Sequence, residues 1–196
     1  MDHVGAVILA AGESTRFGRP KQLANFRDRT LLDGAIAAAR EANCQPIVVV
    51  TGSDAPLIEN AIAGADVIVQ RNPKYGDGIG TSIRAGIERL IEVAREIEGV
   101  ALLVCDQPFV TGAIIRRLIK EHQTSGKPIA ASEYSNTCGV PALFHRSCFT
   151  ELLKVNDGDG AKSIIFRDPV RVIRVQFSEG EFDIDTPGDY AKLESR

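Results

Sequence analysis

Four groups of residues have the types and spacing to do chemistry, and phosphate chemistry is what they suit. The first is the stretch Leu9-Ala10-Ala11-Gly12-Glu13-Ser14-Thr15-Arg16-Phe17-Gly18-Arg19-Pro20-Lys21. Ala10, Ala11 and Gly12 are small enough for the backbone to pass close to a ligand, and Gly12 and Gly18 tolerate positive φ. Successive backbone N–H groups in such a loop cradle phosphate oxygens. Arg16 adds a planar fork of donors and Lys21 a mobile point charge. A solvated Gly/Arg turn would use the same residues, but the position directly after the first apolar run favours phosphate. No Gly-Lys-[Ser/Thr] follows, and five residues separate Gly12 from Gly18. The loop is therefore neither a Walker A motif nor G-x-G-x-x-G, which counts against a P-loop kinase and a dinucleotide dehydrogenase.

The second group is Asp106, which ends the apolar run ALLVC. A carboxylate there faces a ligand crevice and offers an oxygen to Mg²⁺; a turn residue before Pro108 would look the same. The third is Asp183-Ile184-Asp185, whose alternate residues point the same way on an extended segment. A solvated edge leading into a Pro-initiated helix is the alternative. The fourth, Asn72 to Ser82 (NPKYGDGIGTS), has amides and hydroxyls suited to a base edge and glycines that would admit it. It also reads as an ordinary Gly/Asp turn with Thr81 or Ser82 capping a helix.

These loops need a scaffold, and the hydrophobic pattern supplies one. Val4–Leu9, Pro46–Thr51, Asp66–Gln70 and Val100–Cys105 read as strands, as do 128–132, 140–144 and 170–177. Helical spacing marks Leu31–Ala42, Ala55–Ala63 with Asp54 as its N-cap, a helix from Thr81–Ser82, and Thr111–His122. Short helices are expected at 149–154, 161–166 and the C-terminus. Strands alternating with helices predict an α/β fold, a mostly parallel sheet with helices on both faces. In such sheets ligands bind beyond the carboxyl ends of the strands, where the loops above fall. One domain of 1–196 is expected, and the irregular stretch 125–160 is either a small acceptor-side lobe or a loop excursion.

Composition narrows the field further. The chain has 196 residues, 44% hydrophobic and 25% charged, with a net charge of −3, which argues against a nucleic-acid partner. Cys44, Cys105, Cys138 and Cys148 show no C-x-x-C spacing and read as free thiols of a reducing cytoplasm. Met1-Asp2-His3 lacks the basic start of a signal peptide. The run Ala6–Ala11 is far below the roughly 18 residues of a membrane span, so a soluble cytoplasmic protein is expected. His3, His122 and His145 pair with no nucleophile in the sequence and read as structural or surface residues.

The motifs together resemble the MobA-like NTP transferases, and within them the molybdenum cofactor cytidylyltransferase branch. The likeness runs through LAAGESTRFGRPK, NPKYGDGIGTS, CDQP, GVPALF (Gly139 to Phe144), NDGDGAKSII (Asn156 to Ile165) and DIDTPGDY (Asp183 to Tyr190). The resemblance implies a Rossmann-like nucleotidyltransferase fold and Mg²⁺-dependent nucleotidyl transfer. It implies nucleotide binding by Leu9, Ala10, Ala11, Gly12, Arg16, Lys21, Gly78, Ser82 and Asp106, with Arg16, Lys21 and Asp106 catalytic. Metal ligands would be Asp106 with Asp183 or Asp185, and Gly139, Pro141 and Asp159 would lie on the acceptor side. The implied substrates are an NTP, with CTP favoured by Ala10-Ala11-Gly12, and a phosphorylated small molecule, molybdopterin foremost. A molybdoenzyme or its chaperone would receive the product. A GTP-using guanylyltransferase, transferases acting on sugar phosphate, methylerythritol phosphate or phospholactate, and a non-enzymatic nucleotide- or cofactor-binding chaperone are the alternatives.

Overall fold

The computed structural model describes residues 3–194; Met1 and Asp2, which bear on the signal-peptide reading, lie outside the described residues, as do Ser195 and Arg196. The chain runs β1 (Val4–Ala10), β2 (Asn25–Phe26), β3 (Arg29–Thr30), α1 (Leu31–Glu41), β4 (Ile47–Thr51), α2 (Ala55–Ala61), β5 (Ile68–Arg71) and α3 (Ile79–Val93). It continues with β6 (Gly99–Val104), α4 (Gly112–Ser125), β7 (Ile129–Tyr134), β8 (Thr137–His145), α5 (Phe149–Leu152), α6 (Lys162–Arg167), β9 (Val172–Gln176) and α7 (Pro187–Glu194).

Seven strands form one sheet in the order β5-β4-β1-β6-β8-β7-β9. β5, β4, β1 and β6 pair in parallel, and so do β7 and β9, while β8 runs antiparallel to both of its neighbours. β1 and β4 are buried along their whole length, which is why they read as unbroken apolar runs. Their residues alternate between two cores. Ala6, Ile8 and Ala10 join α1, α2 and α4 on one face; Val7 and Leu9 join α3, α5 and α6 on the other. The α/β sheet with helices on both faces is thus as the sequence predicts.

The departures have local causes. β5 starts at Ile68 rather than Asp66, because Ala65 and Val67 are taken up in the turn closing α2. β9 starts at Val172 because Asp168 caps Val170 (3.2 Å) and Pro169 opens a short 3-10 turn. α4 runs on to Ser125 and stops at Gly126 in the left-handed region. Asp54 occupies the N-cap of α2 but makes no capping bond, whereas Thr30 and Asp33 form an unanticipated capping box on α1. The β2–β3 hairpin is also new. The stretch 125–160 contributes β7 and β8 to the main sheet. No helix among the described residues is long and apolar enough to cross a membrane.

Candidate active site

The strand order reverses between β1 and β6: the chain winds outward from β1 through β4 to β5, then returns to place β6 on the other side of β1. A crevice opens at the carboxyl ends of strands at such a point. Here it is a pocket of about 200 Å³. Leu9 and Ala10 line it from the end of β1, Ala11, Gly12 and Lys21 from the first loop, Tyr75 from the loop after β5, Ile79 and Ser82 from the start of α3, and Cys105 and Asp106 from just past the end of β6.

The first loop is held at several points. Phe17 is buried in a cluster with Ala24, Leu31 and Ile184. Ser14 (φ 53) and Gly18 (φ 77) both take the left-handed region, and the N–H groups of Phe17 and Gly18 return to Ser14 O. Gly12 does not use positive φ; its α-carbon faces open space. Gln22, only 1% exposed, is the internal tie. Its Nε2 donates to Ala10 O (3.1 Å) and Gly12 O (2.9 Å), and its Oε1 accepts from Ser14 Oγ (3.2 Å). A buried amide satisfied on all sides fixes the loop's path.

Opposite charges meet across the crevice. Lys21 Nζ lies 2.6 Å from Asp106 Oδ2 and 3.0 Å from Asp185 Oδ1, and Arg16 reaches Asp185 Oδ2 at 2.9 Å. The first loop, the end of β6 and the C-terminal segment therefore share one site. Ile184 explains how the last arrives: its side chain is buried and its N–H donates to Asp106 O at 3.0 Å. With Ile184 turned inward, Asp183 and Asp185 turn outward beside Asp106. Burial acts to lower the Lys21 pKa, but the two carboxylates outweigh it and hold it above the ordinary value. Lys21 in turn depresses Asp185. Asp183 behaves differently. Desolvation first, and then the charge of Asp106, push it up to about 6, against the pull of a Gln107 hydrogen bond and Lys21.

Gly78 caps α3 and Ser82 lies in its first turn, in a segment more occupied with itself than the sequence suggests. Asn72 Nδ2 donates to Thr81 Oγ1 (2.8 Å) and Ser82 Oγ (2.9 Å), and its Oδ1 accepts from Lys74 N–H. That amide is spent on the loop rather than open to a base. A Cβ on Gly78 would lie 2.3 Å from Asp157 O, and one on Gly80 1.9 Å from Asn156 O. These glycines admit the neighbouring 156–158 segment, whose Asp157 O accepts from Gly80 N–H at 2.8 Å.

Of the residues expected on an acceptor side, Gly139 and Pro141 sit in β8, with Pro141 O accepting from Ser132 Oγ at 2.6 Å. Asp159 binds Asn156 Nδ2 at 2.8 Å. Gln22 and Tyr134 are the residues that sequence reading misses. Neither stands in a recognisable motif; a polar residue directly after the loop's last lysine is the only local hint for Gln22. All four cysteines are free and buried, and burial pushes Cys44 up to about 12. His122 and His145 stack on each other, ring centroids 5.5 Å apart.

A model of the MobA-like NTP transferase domain matches residues 6–172. Over 197 aligned residues the chain is 25% identical to the molybdenum cofactor cytidylyltransferase of Escherichia coli K12, covering 100% of this chain and 98% of that protein. It is 33% identical over 127 residues to the bifunctional protein GlmU of Streptomyces avermitilis. That match takes in 63% of this chain but only 26% of GlmU, so the chain spans about a quarter of that relative. The crystal structure of Rv0371c from Mycobacterium tuberculosis H37Rv superposes with a TM-score of 0.82 at 31% identity over 100% of both chains. The same protein solved in complex with manganese superposes at 0.75 and 31% identity, over 99% of this chain and 100% of that one.

Proposed function

The chain belongs to the MobA-like NTP transferase family, and on that footing we propose that it moves CMP from CTP onto the terminal phosphate of molybdopterin, releasing pyrophosphate. The observation that carries the transfer reading is the Lys21 ammonium held between Asp106 and Asp185 at the mouth of the switch-point pocket. Cations for phosphates and carboxylates for a metal stand within one crevice. The full-length likeness to a cytidylyltransferase, together with Ala10-Ala11-Gly12, supports CTP as donor.

In the reaction an oxygen of the acceptor phosphate attacks the α-phosphorus of the NTP. A new P–O bond forms, the bond from the α-phosphorus to the α,β-bridging oxygen breaks, and its electron pair leaves with pyrophosphate. The attacking oxygen is already anionic near neutral pH, so no general base is needed. Backbone N–H groups of Ala11 and Gly12 hold phosphate oxygens in place. Lys21 and Arg16 offset charge on the α-phosphate and the departing pyrophosphate.

The carboxylates fit a divalent ion. Two of them already converge on one cation within 3.0 Å, and Mg²⁺ is usually held by one or two carboxylates plus substrate phosphates. No cluster of three His, Cys, Asp or Glu is present among the described residues, so the protein alone forms no closed cage. Asp106, with Asp185 or Asp183, would hold the ion. When bound, it neutralises phosphate charge and aligns acceptor and α-phosphate.

A thermal-shift panel of CTP, GTP, ATP and UTP with Mg²⁺ tests the donor. A ligand at a hundredfold excess over its Kd stabilises by about 2.7 kcal/mol, and CTP is expected to give the largest shift. Pyrophosphate release with CTP should require molybdopterin. A larger shift with GTP, or no pyrophosphate with the complete mixture, would overturn the assignment.

A further inference from the structure

On the transferase reading the pocket between β1 and β6 takes the triphosphate, which leaves the acceptor phosphate without a counter-charge of its own. That counter-charge lies one strand further along. β8 flanks β6 on the side away from β1. Its antiparallel register pairs Ala142 with Leu102, so the β8 residues before Ala142, Gly139 among them, lie toward the carboxyl end of β6, which Asp106 follows.

Two side chains meet over Gly139. A Cβ there would lie 2.3 Å from Tyr134 Oη and 3.1 Å from Lys162 Cε. The Tyr134 ring is confined from another direction as well, since a Cβ on Gly180 would lie 2.6 Å from Tyr134 Cδ1. Gln107, 6% exposed, secures that glycine through Nε2 to Gly180 O at 2.9 Å. The Tyr134 phenol is a hydrogen-bond donor at neutral pH. Lys162 is exposed, and no carboxylate lies within ion-pair distance of it among the described residues.

We propose that Lys162 and Tyr134 form a seat for the phosphate monoester of the acceptor, on the side of Asp106 away from Lys21. The seat pairs a mobile cation with a fixed donor, which suits a dianion; a neutral or cationic acceptor would gain nothing from it. Its place in the sheet fits in-line displacement, where the attacking and leaving oxygens stand on opposite sides of the phosphorus. Lys21 follows β1, Asp106 follows β6 and Gly139 lies in β8, so the carboxylate stands between the leaving-group cation and the attacking-group cation. The identity of the anion as the acceptor rests on the transferase reading; the existence of an anion seat does not.

The test uses the wild type and the variants Lys162→Gln, Lys162→Arg and Tyr134→Phe, each with Mg²⁺, with and without α,β-methylene CTP. Inorganic phosphate, titrated by calorimetry, is the probe of the seat. Phosphate affinity is expected to fall about tenfold in Lys162→Gln, by a few-fold in Tyr134→Phe, and to recover in Lys162→Arg. Affinity for the nucleotide analogue should stay the same in all three. Unchanged phosphate affinity in Lys162→Gln, or no phosphate binding to the wild type, overturns the seat. Lys162-dependent phosphate binding in a protein that ignores the nucleotide analogue would uphold the seat while sinking the transferase reading.

Discussion

Lys21 Nζ stands 2.6 Å from Asp106 Oδ2, although 85 positions separate the two residues in the chain. The contact is possible because β1 and β6 are neighbours, so the loops leaving their carboxyl ends emerge side by side. It also stores the site's charge balance. The ammonium neutralises the carboxylates, and on the proposed function the same cation would be available to phosphate once a triphosphate enters. The surface pair of Arg16 with Asp185, with the Arg side chain 69% exposed, is worth only roughly 0–1 kcal/mol, so Lys21 is the stronger determinant.

Lys21→Ala is therefore expected to lower kcat by about 10²–10³, the range seen when one preorganised electrostatic donor is removed. KM for the NTP should move only a few-fold, because the charge matters most as pyrophosphate departs. Steady-state pyrophosphate release decides it. A change confined to KM would make Lys21 a binding residue only.

Asp106→Ala should abolish turnover and leave the fold intact. The strap between the C-terminal segment and β6 is made by the backbone carbonyl of Asp106, which accepts from Ile184 N–H, and the substitution spares it. Circular dichroism and pyrophosphate release, measured on the same preparation, check both halves. Substantial Mg²⁺-dependent activity in the variant would remove Asp106 from the mechanism.

How much of this was legible beforehand depends on the range of the interaction. The buried strands β1, β4 and β6 announce themselves as apolar runs, and the rule that ligands bind past strand ends then selects Lys21 and Asp106. The spacing of Asp183 and Asp185 around an apolar Ile184 was likewise readable, since it is a property of extended chain. Gln22 was not, because its partners Ala10 O and Gly12 O are set by the loop's fold rather than by any periodicity. Gly78 and Gly80 carried a real signal, close backbone approach, but sequence cannot say what approaches; the neighbour is the 156–158 segment. Tyr134 looks like any strand aromatic until Gly139 and Gly180 are placed on either side of it.

Asp183→Asn should raise the stability of the metal-free protein at neutral pH. The folded-state pKa of Asp183 is raised from the usual 3.8 to about 6, mainly by desolvation and by Asp106. Between those values the folded state holds a proton that the unfolded state has lost, so stability falls as pH rises through the window and the full cost persists above it. Asparagine carries no charge and avoids that cost. Because Asp183 is exposed to solvent, screening discounts the shift and the gain should be small, about 1–3 °C in Tm at pH 7.5, and close to zero near pH 4. Melting curves in EDTA at the two pH values check it; a variant less stable than the parent at pH 7.5 would refute the sign.

Two glycine substitutions separate what the fold demands from what a ligand demands. In Gly80→Ala the new methyl meets the backbone oxygen of Asn156 at 1.9 Å. Alanine would otherwise favour a helix by up to about 1 kcal/mol over glycine, but overpacking against backbone costs about 1–3 kcal/mol, so a net loss of Tm is expected without any ligand present. Gly12→Ala meets nothing within 4 Å and its φ is not in the left-handed region, so stability should stay within about 0.5 kcal/mol of the parent. Its methyl would nonetheless project where Gly12 lines the pocket, and NTP affinity should drop about tenfold as phosphate is held off the backbone N–H groups. Thermal melts paired with NTP titrations distinguish the two. Unaltered nucleotide affinity in Gly12→Ala would mean that the first loop does not carry the phosphates.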